Sequence, residues 1–210
     1  QSELDKNLDL LRAVHGNEKV GQWSTLNAPS LLKSADAMAA AAEKLVSIAL
    51  GSPWPTKRWP AKQAAELARL LTLEGLGVQL LGDEKTRGMA EELKTLCPSL
   101  LIKDFVGHTS IKDWVGLIEK SSVVICNDSA ATHVASDLNV PCISLFGPTL
   151  PDFGFAPWRK KSLALGLANL DCRPCHIHGP LECPLGHHKC LNDLSGESVY
   201  RQVFKLLQMS

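Results

Sequence analysis

The sequence predicts an α/β fold in which a parallel β-sheet is covered by helices on both faces. Short apolar runs alternate with amphipathic helical patterns over most of residues 44–167, and this alternation is typical of parallel sheets. Apolar residues make up 45% of the 210 positions, which is enough to fill one large core. Ligands bind at the carboxyl ends of parallel strands. That edge is marked by Gly51-Ser52, Gly82-Asp83, Asn127-Asp128 and Gly147-Pro148.

Each strand is predicted where a short apolar run stops at a turn residue or at a helical pattern. Six such runs occupy residues 44–52, 78–83, 101–106, 123–126, 142–147 and 162–167. Apolar residues at helical spacing predict helices over 57–75, 84–97, 110–121, 129–138 and 195–207, with two more at 3–14 and 35–44. Gly75 and Pro98 mark two helix ends, and Ser110 is a predicted N-cap.

Charge, hydropathy and cysteine content argue against three classes of protein: nucleic-acid binders, membrane-spanning proteins and small secreted scaffolds. Lys+Arg and Asp+Glu both number 22, whereas a nucleic-acid binder usually carries a basic excess, so we expect no nucleic-acid partner. No apolar run approaches the roughly 20 residues that span a bilayer. The seven cysteines do not form the pattern of a small secreted scaffold, and no signal peptide is visible. A cytoplasmic localisation is therefore expected.

Asp128 lies where the fourth strand gives way to a helix, at the predicted N-cap position. One interpretation is a structural cap, in which the carboxylate accepts a backbone N–H of the first helical turn. The other is a binding site, because Ser129, Ala130 and Ala131 are small and the helix start offers free N–H groups and a positive dipole end to a phosphate. His133, one turn further on, either orients that phosphate or is hydrogen-bonded within the core.

The segment GSPWPTKRWP, residues 51–60, follows the first strand. It matches neither a Walker loop nor a dinucleotide fingerprint. It nevertheless places a hydroxyl, Ser52, and a cation, Lys57, at the same sheet edge as Asp128. The alternative interpretation is a solvated basic turn in which Trp59 is a packing anchor. Taken with the Asp128 loop, the segment predicts the second wall of a diphosphate pocket.

The chain resembles the ADP-heptose:lipopolysaccharide heptosyltransferases, glycosyltransferase family 9, and most closely their heptosyltransferase II branch. The resemblance lies in GSPWPTKRWP, in NDSAATHVASDLNVPCISLFGPTLPDFGFAPW and in the cysteine-rich CRPC…CPLGHHKC, and covers about residues 44–208. It implies a Rossmann-like domain, the C-terminal half of a two-domain GT-B glycosyltransferase that inverts at the sugar and needs no cofactor. Residues 44–210 would form this domain, with a terminal helix at 195–208, and residues 1–43 a linker and a remnant of the acceptor domain.

By motif position, the resemblance implies a site for the diphosphate of ADP-heptose. Ser52 and Lys57 would contact the diphosphate, Ser129 and Ala130 would offer it backbone N–H groups, and His133 would lie beside it. The family often has Thr-Gly where this chain has Ser129-Ala130, so the N–H is kept but the backbone freedom of glycine is lost. Removing Lys57 is expected to weaken donor binding without loss of fold.

Two more contacts complete the implied donor site: Asp128 would touch the sugar and Glu84 would bind the ribose. The family's catalytic base is an aspartate of the N-terminal domain, so no catalytic residue is expected in this chain. The chain would bind ADP-heptose, whereas transfer to the lipopolysaccharide core acceptor, heptosyl-Kdo-lipid A, would need the N-terminal GT-B domain. Such an acceptor also implies peripheral contact with the cytoplasmic face of the inner membrane.

A cysteine-rich loop, residues 172–190, holds four of the seven cysteines. Cys172, Cys175, Cys183 and Cys190 follow the spacing C-x2-C-x7-C-x6-C, which suits a tetrahedral structural zinc. Reduced thiols packed in a long loop, or a disulfide pair, are open alternatives. A structural role is expected in each case.

Two other function classes stay open from the residues alone. Another GT-B enzyme, such as a different sugar transferase or a sugar-nucleotide epimerase, would share the sheet and the phosphate site. A non-catalytic nucleotide-binding or zinc-stabilised module would share them without chemistry. Binding of ADP but not UDP favours the heptosyltransferase interpretation.

Overall fold

The fold is built on a sheet of six parallel strands, seen in a computed structural model that describes residue 42 and residues 44–208. The strands are β1 (Leu45–Ala49), β2 (Gly77–Leu81), β3 (Ile102–Asp104), β4 (Val123–Asn127), β5 (Cys142–Leu145) and β6 (Leu163–Leu165). Their order across the sheet is β3-β2-β1-β4-β5-β6, and each neighbouring pair is parallel. The predicted parallel sheet is confirmed.

Helices follow most of the strands, as the alternation predicted. Within the described residues they are α1 (Ala61–Leu73), α2 (Arg87–Leu96), α3 (Ile111–Glu119), α4 (Ala130–Asp137), α5 (Lys189–Asn192) and α6 (Gly196–Gln208). Ser110 caps α3 as predicted, in a capping box in which its hydroxyl accepts the N–H of Asp113 at 3.2 Å and its own N–H donates to the Asp113 carboxylate at 3.1 Å. Past the end of α1, Gly75 has φ 75°, a conformation that glycine adopts without strain.

The strand order creates a switch point between β1 and β4. From β1 the chain moves outward to β2 and β3, then returns to the other side of β1 and continues through β4, β5 and β6. The connections on the two sides therefore diverge, and the carboxyl ends of β1 and β4 face an open crevice. Crevices of this kind are where open α/β sheets bind ligands.

The core has one apolar layer on each face of the sheet. On one face, α1 and α6 pack against the strands through buried residues such as Leu67, Leu71, Val199 and Val203. On the other face, α3 and α4 contribute Leu117, Ile118 and Val134, among others. Successive strand residues alternate between the layers, as Ile48 and Ala49 do, because strand side chains point to opposite faces in turn.

Two predicted helix starts are wrong, and both are displaced by short 3-10 turns. The helix predicted from residue 57 begins at Ala61, after a 3-10 turn at Pro55–Lys57, because the residue before Pro60 is disfavoured in the α conformation. The helix predicted from residue 84 opens as a 3-10 turn at Glu84–Thr86 before α2. The helices predicted at 3–14 and 35–44, and the linker interpretation of 1–43, fall outside the described residues apart from positions 42 and 44. Over the described part of the chain, no helix has the length and apolarity needed to cross a membrane.

The terminal helix α6 docks on α1 through Gly196. A Cβ atom at this position would lie 2.6 Å from the carbonyl oxygen of Gln63 and 2.6 Å from the backbone nitrogen of Leu67. The Gly196 N–H also donates to the Glu66 carboxylate at 2.7 Å. Since the obstructing atoms belong to a helix backbone, they cannot move aside as a flexible side chain would.

We expect Gly196→Ala to destabilise the fold, because the added methyl group has to push α6 away from α1. The expected loss in the free energy of unfolding is about 1–3 kcal/mol, as for other overpacked contacts. Urea titration followed by circular dichroism measures it.

Gly88→Ala in α2 is the matched control, because a Cβ atom there meets nothing within 4 Å. Alanine is favoured over glycine within a helix by roughly 0.5–1 kcal/mol, so this variant should be as stable as the parent or slightly more stable. Equal stability of Gly196→Ala and the parent would contradict the close docking of α6.

Candidate functional site

A cavity of about 420 Å³ opens at the carboxyl ends of β1, β2 and β4. Its polar lining includes Ser52 from the loop after β1, Asp83 from the loop after β2, and Ser129 and His133 from the start of α4. Apolar surface predominates elsewhere, with Trp114 of α3 among the lining side chains. An apolar pocket with a few polar groups at this edge is the usual form of a small-ligand site in such a sheet.

A buried ion pair joins the loops that form the wall beside this cavity. The Lys57 ammonium lies 2.6 Å from Oδ2 of Asp128, and the two side chains are 6% and 4% exposed. The Thr149 hydroxyl, itself buried, donates to the same carboxylate oxygen at 2.7 Å. The structure therefore brings together the cation and the carboxylate that the sequence placed on two separate walls.

The predicted N-cap position of Asp128 is wrong, and the capping interpretation of its carboxylate is wrong with it. The N-cap residue of α4 is Ser129, and no side chain caps this helix start. Asp128 continues the strand direction, since its N–H donates to the carbonyl of Leu145 at 3.0 Å, and its carboxylate is held by Lys57 and Thr149 rather than by its own helix. The N–H groups at the start of α4 are thus left without a side-chain cap beside the cavity, as an anion site requires.

Lys57 is held from several sides. Its ammonium lies 5.4 Å from the centre of the Phe155 ring, within the range of a cation–π contact. A Cβ atom at Gly179 would come within 3.0 Å of Lys57 Cε, so the cysteine-rich loop packs directly on the lysine stem. The neighbouring Thr56 hydroxyl donates to the carbonyl of Pro180. Because Lys57 completes a buried pair, its removal should lower stability, and the expectation that the fold survives this change stays a prediction.

Asn127 braces the same two loops, and sequence reasoning missed it. Its side-chain oxygen accepts the N–H of Trp59 at 2.9 Å, and its side-chain nitrogen donates to the carbonyls of Leu50 at 2.9 Å and Gly51 at 3.3 Å. Trp59 is the buried anchor foreseen from the sequence, and its indole N–H donates to the carbonyl of Leu194 at 2.8 Å. One feature of the sequence could have indicated this role. Asn127 is the last residue of a buried strand, where apolar residues are usual.

His133 is buried on α4 and reaches the cavity lining. Its ring stacks on the indole of Trp158, with 5.6 Å between ring centres and an angle of 18° between the planes. This stacking holds the imidazole ring of His133 in one orientation. A ligand in the cavity would therefore contact a ring that is already oriented. This placement agrees with the predicted position beside Ser129 and Ala130, which also line the cavity.

Glu84 is not placed at the cavity. Its carboxylate accepts two hydrogen bonds from the Arg87 guanidinium, each 2.7 Å long, on the exposed surface. The hydrogen bond from Arg87 lowers the pKa of Glu84, and Arg87 is in turn anchored on the carbonyl of Val106 at 2.9 Å. The carboxylate that does line the cavity is the neighbouring Asp83.

The cysteine-rich loop is fastened to the sheet by Arg173. The Arg173 guanidinium donates to the carbonyls of Phe146 and Thr149, each at 2.9 Å, and to that of Leu167. These carbonyls lie just past β5 and β6, next to the Thr149 that supports Asp128. The loop is therefore attached to the same wall of the cavity as the ion pair.

All four cysteines of the loop are free thiols. Burial raises the pKa of Cys190 to about 11 and also raises the pKa of Cys175. Burial acts in the same direction on Cys183, but N–H groups of the following backbone, from His188 and Leu185 among others, lower the pKa of that thiol. Over the described residues, the structure shows no group of three or more His, Cys, Asp or Glu side chains placed to hold a metal ion.

The chain matches the family model "Glycosyltransferase family 9 (heptosyltransferase)" over residues 1–183. Among curated relatives, lipooligosaccharide heptosyltransferase 2 of Haemophilus influenzae is 31% identical over 159 residues, covering 73% of this chain and 44% of that protein. Lipopolysaccharide heptosyltransferase 2 of Escherichia coli is 31% identical over 156 residues, with 73% and 43% covered. The solved structure of E. coli ADP-heptose lipopolysaccharide heptosyltransferase II has a TM-score of 0.70 and 26% identity, covering 88% of this chain and 53% of that one. The chain thus spans about half the length of the relatives it matches.

The geometry predicts a strong coupling between Lys57 and Asp128. In a double-mutant cycle of Lys57→Met and Asp128→Asn, the coupling in unfolding free energy should be about 2 kcal/mol or more, because each single change leaves a buried polar group without its partner. Urea unfolding of the four proteins gives this value.

The Lys94–Asp104 pair is the control, because its nitrogen and oxygen are also 2.6 Å apart but Lys94 is 44% exposed. Exposed pairs contribute roughly 0–1 kcal/mol, so the same cycle there should give a smaller coupling. Equal coupling energies in the two cycles would show that burial of the Lys57 pair has no energetic consequence.

Proposed function

Because this chain belongs to glycosyltransferase family 9, the heptosyltransferases, we propose that it is the donor-binding half of such an enzyme. Its substrate would be ADP-heptose, and the complete enzyme would transfer heptose, with inversion, to the inner core of lipopolysaccharide. The observation that carries the proposal is the meeting of Lys57, Asp128 and the uncapped start of α4 beside the cavity at the switch point. A cation and a helix N-terminus at this position suit a diphosphate.

The cavity suggests how ADP-heptose would lie. The described lining contains no Lys or Arg, so the diphosphate would depend on the N–H groups of Ser129 and Ala130, on the Ser52 hydroxyl, and on Lys57 behind the wall. The apolar lining around Trp114 would receive the nucleoside. Asp83 is better placed for the ribose than Glu84, and the heptose would lie towards Asp128.

The proposed reaction follows from these positions. A base supplied by the acceptor-binding half would remove the proton of the acceptor hydroxyl. That oxygen would form a bond to the anomeric carbon of the heptose on the face opposite ADP, and the bond from that carbon to the diphosphate oxygen would break. Negative charge then grows on the departing diphosphate, where Lys57 and the dipole of α4 would stabilise it. No step in this scheme uses a metal or another cofactor.

The isolated chain is accordingly proposed to bind donor without transferring sugar. Its partners would be ADP-heptose, an N-terminal GT-B domain, and the heptosyl-Kdo-lipid A acceptor that this domain would help to bind. A lipid acceptor supports a place in the cytoplasm at the face of the inner membrane. The names of the relatives support the heptose and lipopolysaccharide assignments.

For the cysteine-rich loop we keep the structural zinc as a proposal. The four thiols belong to one loop that Arg173 fastens to the wall of the donor site. Thiolates at this spacing suit zinc, and four sulfur ligands also suit iron. The metal would hold the loop closed over Lys57 and would take no part in the reaction.

Calorimetric titration of the 210-residue chain with ADP and with UDP tests the donor proposal. We expect ADP to bind and UDP to bind much more weakly. Ala130→Pro should weaken ADP binding by about tenfold or more, because proline is tolerated at the first helical position but has no N–H to donate to a phosphate.

Lys57→Met should weaken ADP binding by a similar factor, since it removes a charge-assisted contact. Lys62→Met on the exposed part of α1 is the matched control and should bind ADP like the parent. Circular dichroism of each variant separates loss of binding from loss of fold. Failure of the parent to bind ADP, or unchanged binding in Ala130→Pro, would rule out the proposed site.

Elemental analysis of chain purified without added metal tests the structural zinc. We expect about one zinc or iron atom per chain, and a thermal midpoint several degrees lower after removal of the metal, because metal binding contributes to folding. Cys97→Ser, outside the loop, should keep the metal, whereas Cys172→Ser/Cys175→Ser should lose it. A metal-free chain whose thermal midpoint does not respond to zinc would favour simple packed thiols.

A further inference from the structure

A second cavity, of about 740 Å³, lies at the opposite edge of the sheet from the donor cavity. Its lining includes Lys44, Ser122, Pro141 and Ser162, which come just before the starts of β1, β4, β5 and β6. The proposed donor chemistry uses none of these residues. This amino-edge pocket shares no described lining residue with the donor cavity, and the two are connected through Trp158 of the pocket, whose ring stacks on His133 of the cavity.

The amino-edge pocket is strongly basic. Lys44, Arg159, Lys160 and Lys161 line it, and none of its described lining residues carries a carboxylate. The Lys44 ammonium donates to the carbonyl of Leu207 at 3.2 Å, and Arg159 Nε donates to the carbonyl of Ser136 at 2.7 Å. These two cations are thus fixed at the ends of α6 and α4.

Lys160 and Lys161 differ from Lys44 and Arg159, which backbone carbonyls hold in place. Both are exposed, and the described residues provide neither with an ion-pair partner. A group of positive charges without local neutralisation raises the concentration of anions at its surface. The pocket therefore suits a ligand that brings negative charge of its own.

Trp158 stands beside this charge on the same pocket lining and is 38% exposed. Tryptophan is favoured at membrane interfaces, where the indole lies at the level of the lipid headgroups. Clusters of basic residues beside it bind anionic headgroups. An exposed indole next to Arg159, Lys160 and Lys161 favours a lipid surface over a small soluble anion, which has no use for the aromatic ring.

We propose that the amino-edge pocket docks the chain on an anionic membrane surface, with a lipid phosphate in the pocket and Trp158 among the headgroups. Helix α4 links this surface to the donor site, because Ser136 near its end holds Arg159 while Ser129 at its start lines the donor cavity. An eight-residue helix is only about 12 Å long. The donor site would then lie within reach of sugars that project from a lipid, a consequence that rests on the proposed function.

Co-sedimentation with lipid vesicles tests the docking surface. The 210-residue chain should bind vesicles of phosphatidylcholine mixed with phosphatidylglycerol, should bind pure phosphatidylcholine weakly, and should be released by high salt. Lys160→Ala/Lys161→Ala should lower the partition coefficient by roughly 25-fold, from the usual contribution of two basic residues near an anionic surface.

The matched control is Lys62→Ala/Lys103→Ala, which removes the same charge from two exposed positions outside the pocket. It should bind vesicles like the parent. If both double variants lost vesicle binding equally, the loss would be due to net charge alone. That result would overturn the assignment of the pocket. Binding of inorganic phosphate without binding of anionic vesicles would also overturn it.

ADP titration of the same proteins keeps this proposal separate from the donor proposal. Lys160→Ala/Lys161→Ala should bind ADP like the parent while it loses vesicle binding. A parent chain that binds vesicles but not ADP would refute the donor site and leave the docking surface supported.

Discussion

The buried ion pair between Lys57 and Asp128 holds together the loops at the carboxyl edge of the sheet. Lys57 comes from the turn after β1 and Asp128 from the end of β4, and their charged atoms meet at 2.6 Å. Either charge alone would be costly to bury, so each loop needs the other in place. Thr149 extends the contact to the loop after β5. Three loops that could vary independently in another parallel sheet are thereby made to move together.

The sheet order makes this pairing available. Because β1 lies between β2 and β4, the residues following β1 and β4 are neighbours in space although three helices and two strands separate β1 from β4 in sequence. Asn127 uses the same proximity, since its side chain closes the gap between β4 and the loop after β1 with three hydrogen bonds. The order of the strands thus sets the position of the site. The side chains of Asn127 and Asp128 hold its loops in place.

The sequence predicted most of the fold because strand and helix patterns are local. Apolar runs located the six strands, and the N-cap at Ser110 was predicted from the helical pattern that follows it. The errors arose where partners are distant. The local sequence predicts Asp128 at the N-cap position and leaves a capping role open beside a binding role, whereas Lys57 and Thr149 hold its carboxylate. Asn127 likewise has distant partners, in and after β1. Glu84 is a different, local case, because its carboxylate pairs with Arg87 three residues on and lies outside the cavity lining.

The contacts of Lys57 also join the cysteine-rich loop to the wall of the cavity. The Lys57 side chain is 6% exposed and lies outside the cavity lining, behind the wall that the Asp128 loop forms. Phe155 and Gly179 both lie against the lysine, and the tight contact at Gly179 leaves little space for the lysine stem to move. A cation held in position before the ligand arrives avoids part of the cost of ordering it. Whatever stabilises the loop of Cys172 to Cys190 therefore also stabilises the position of Lys57 beside the cavity.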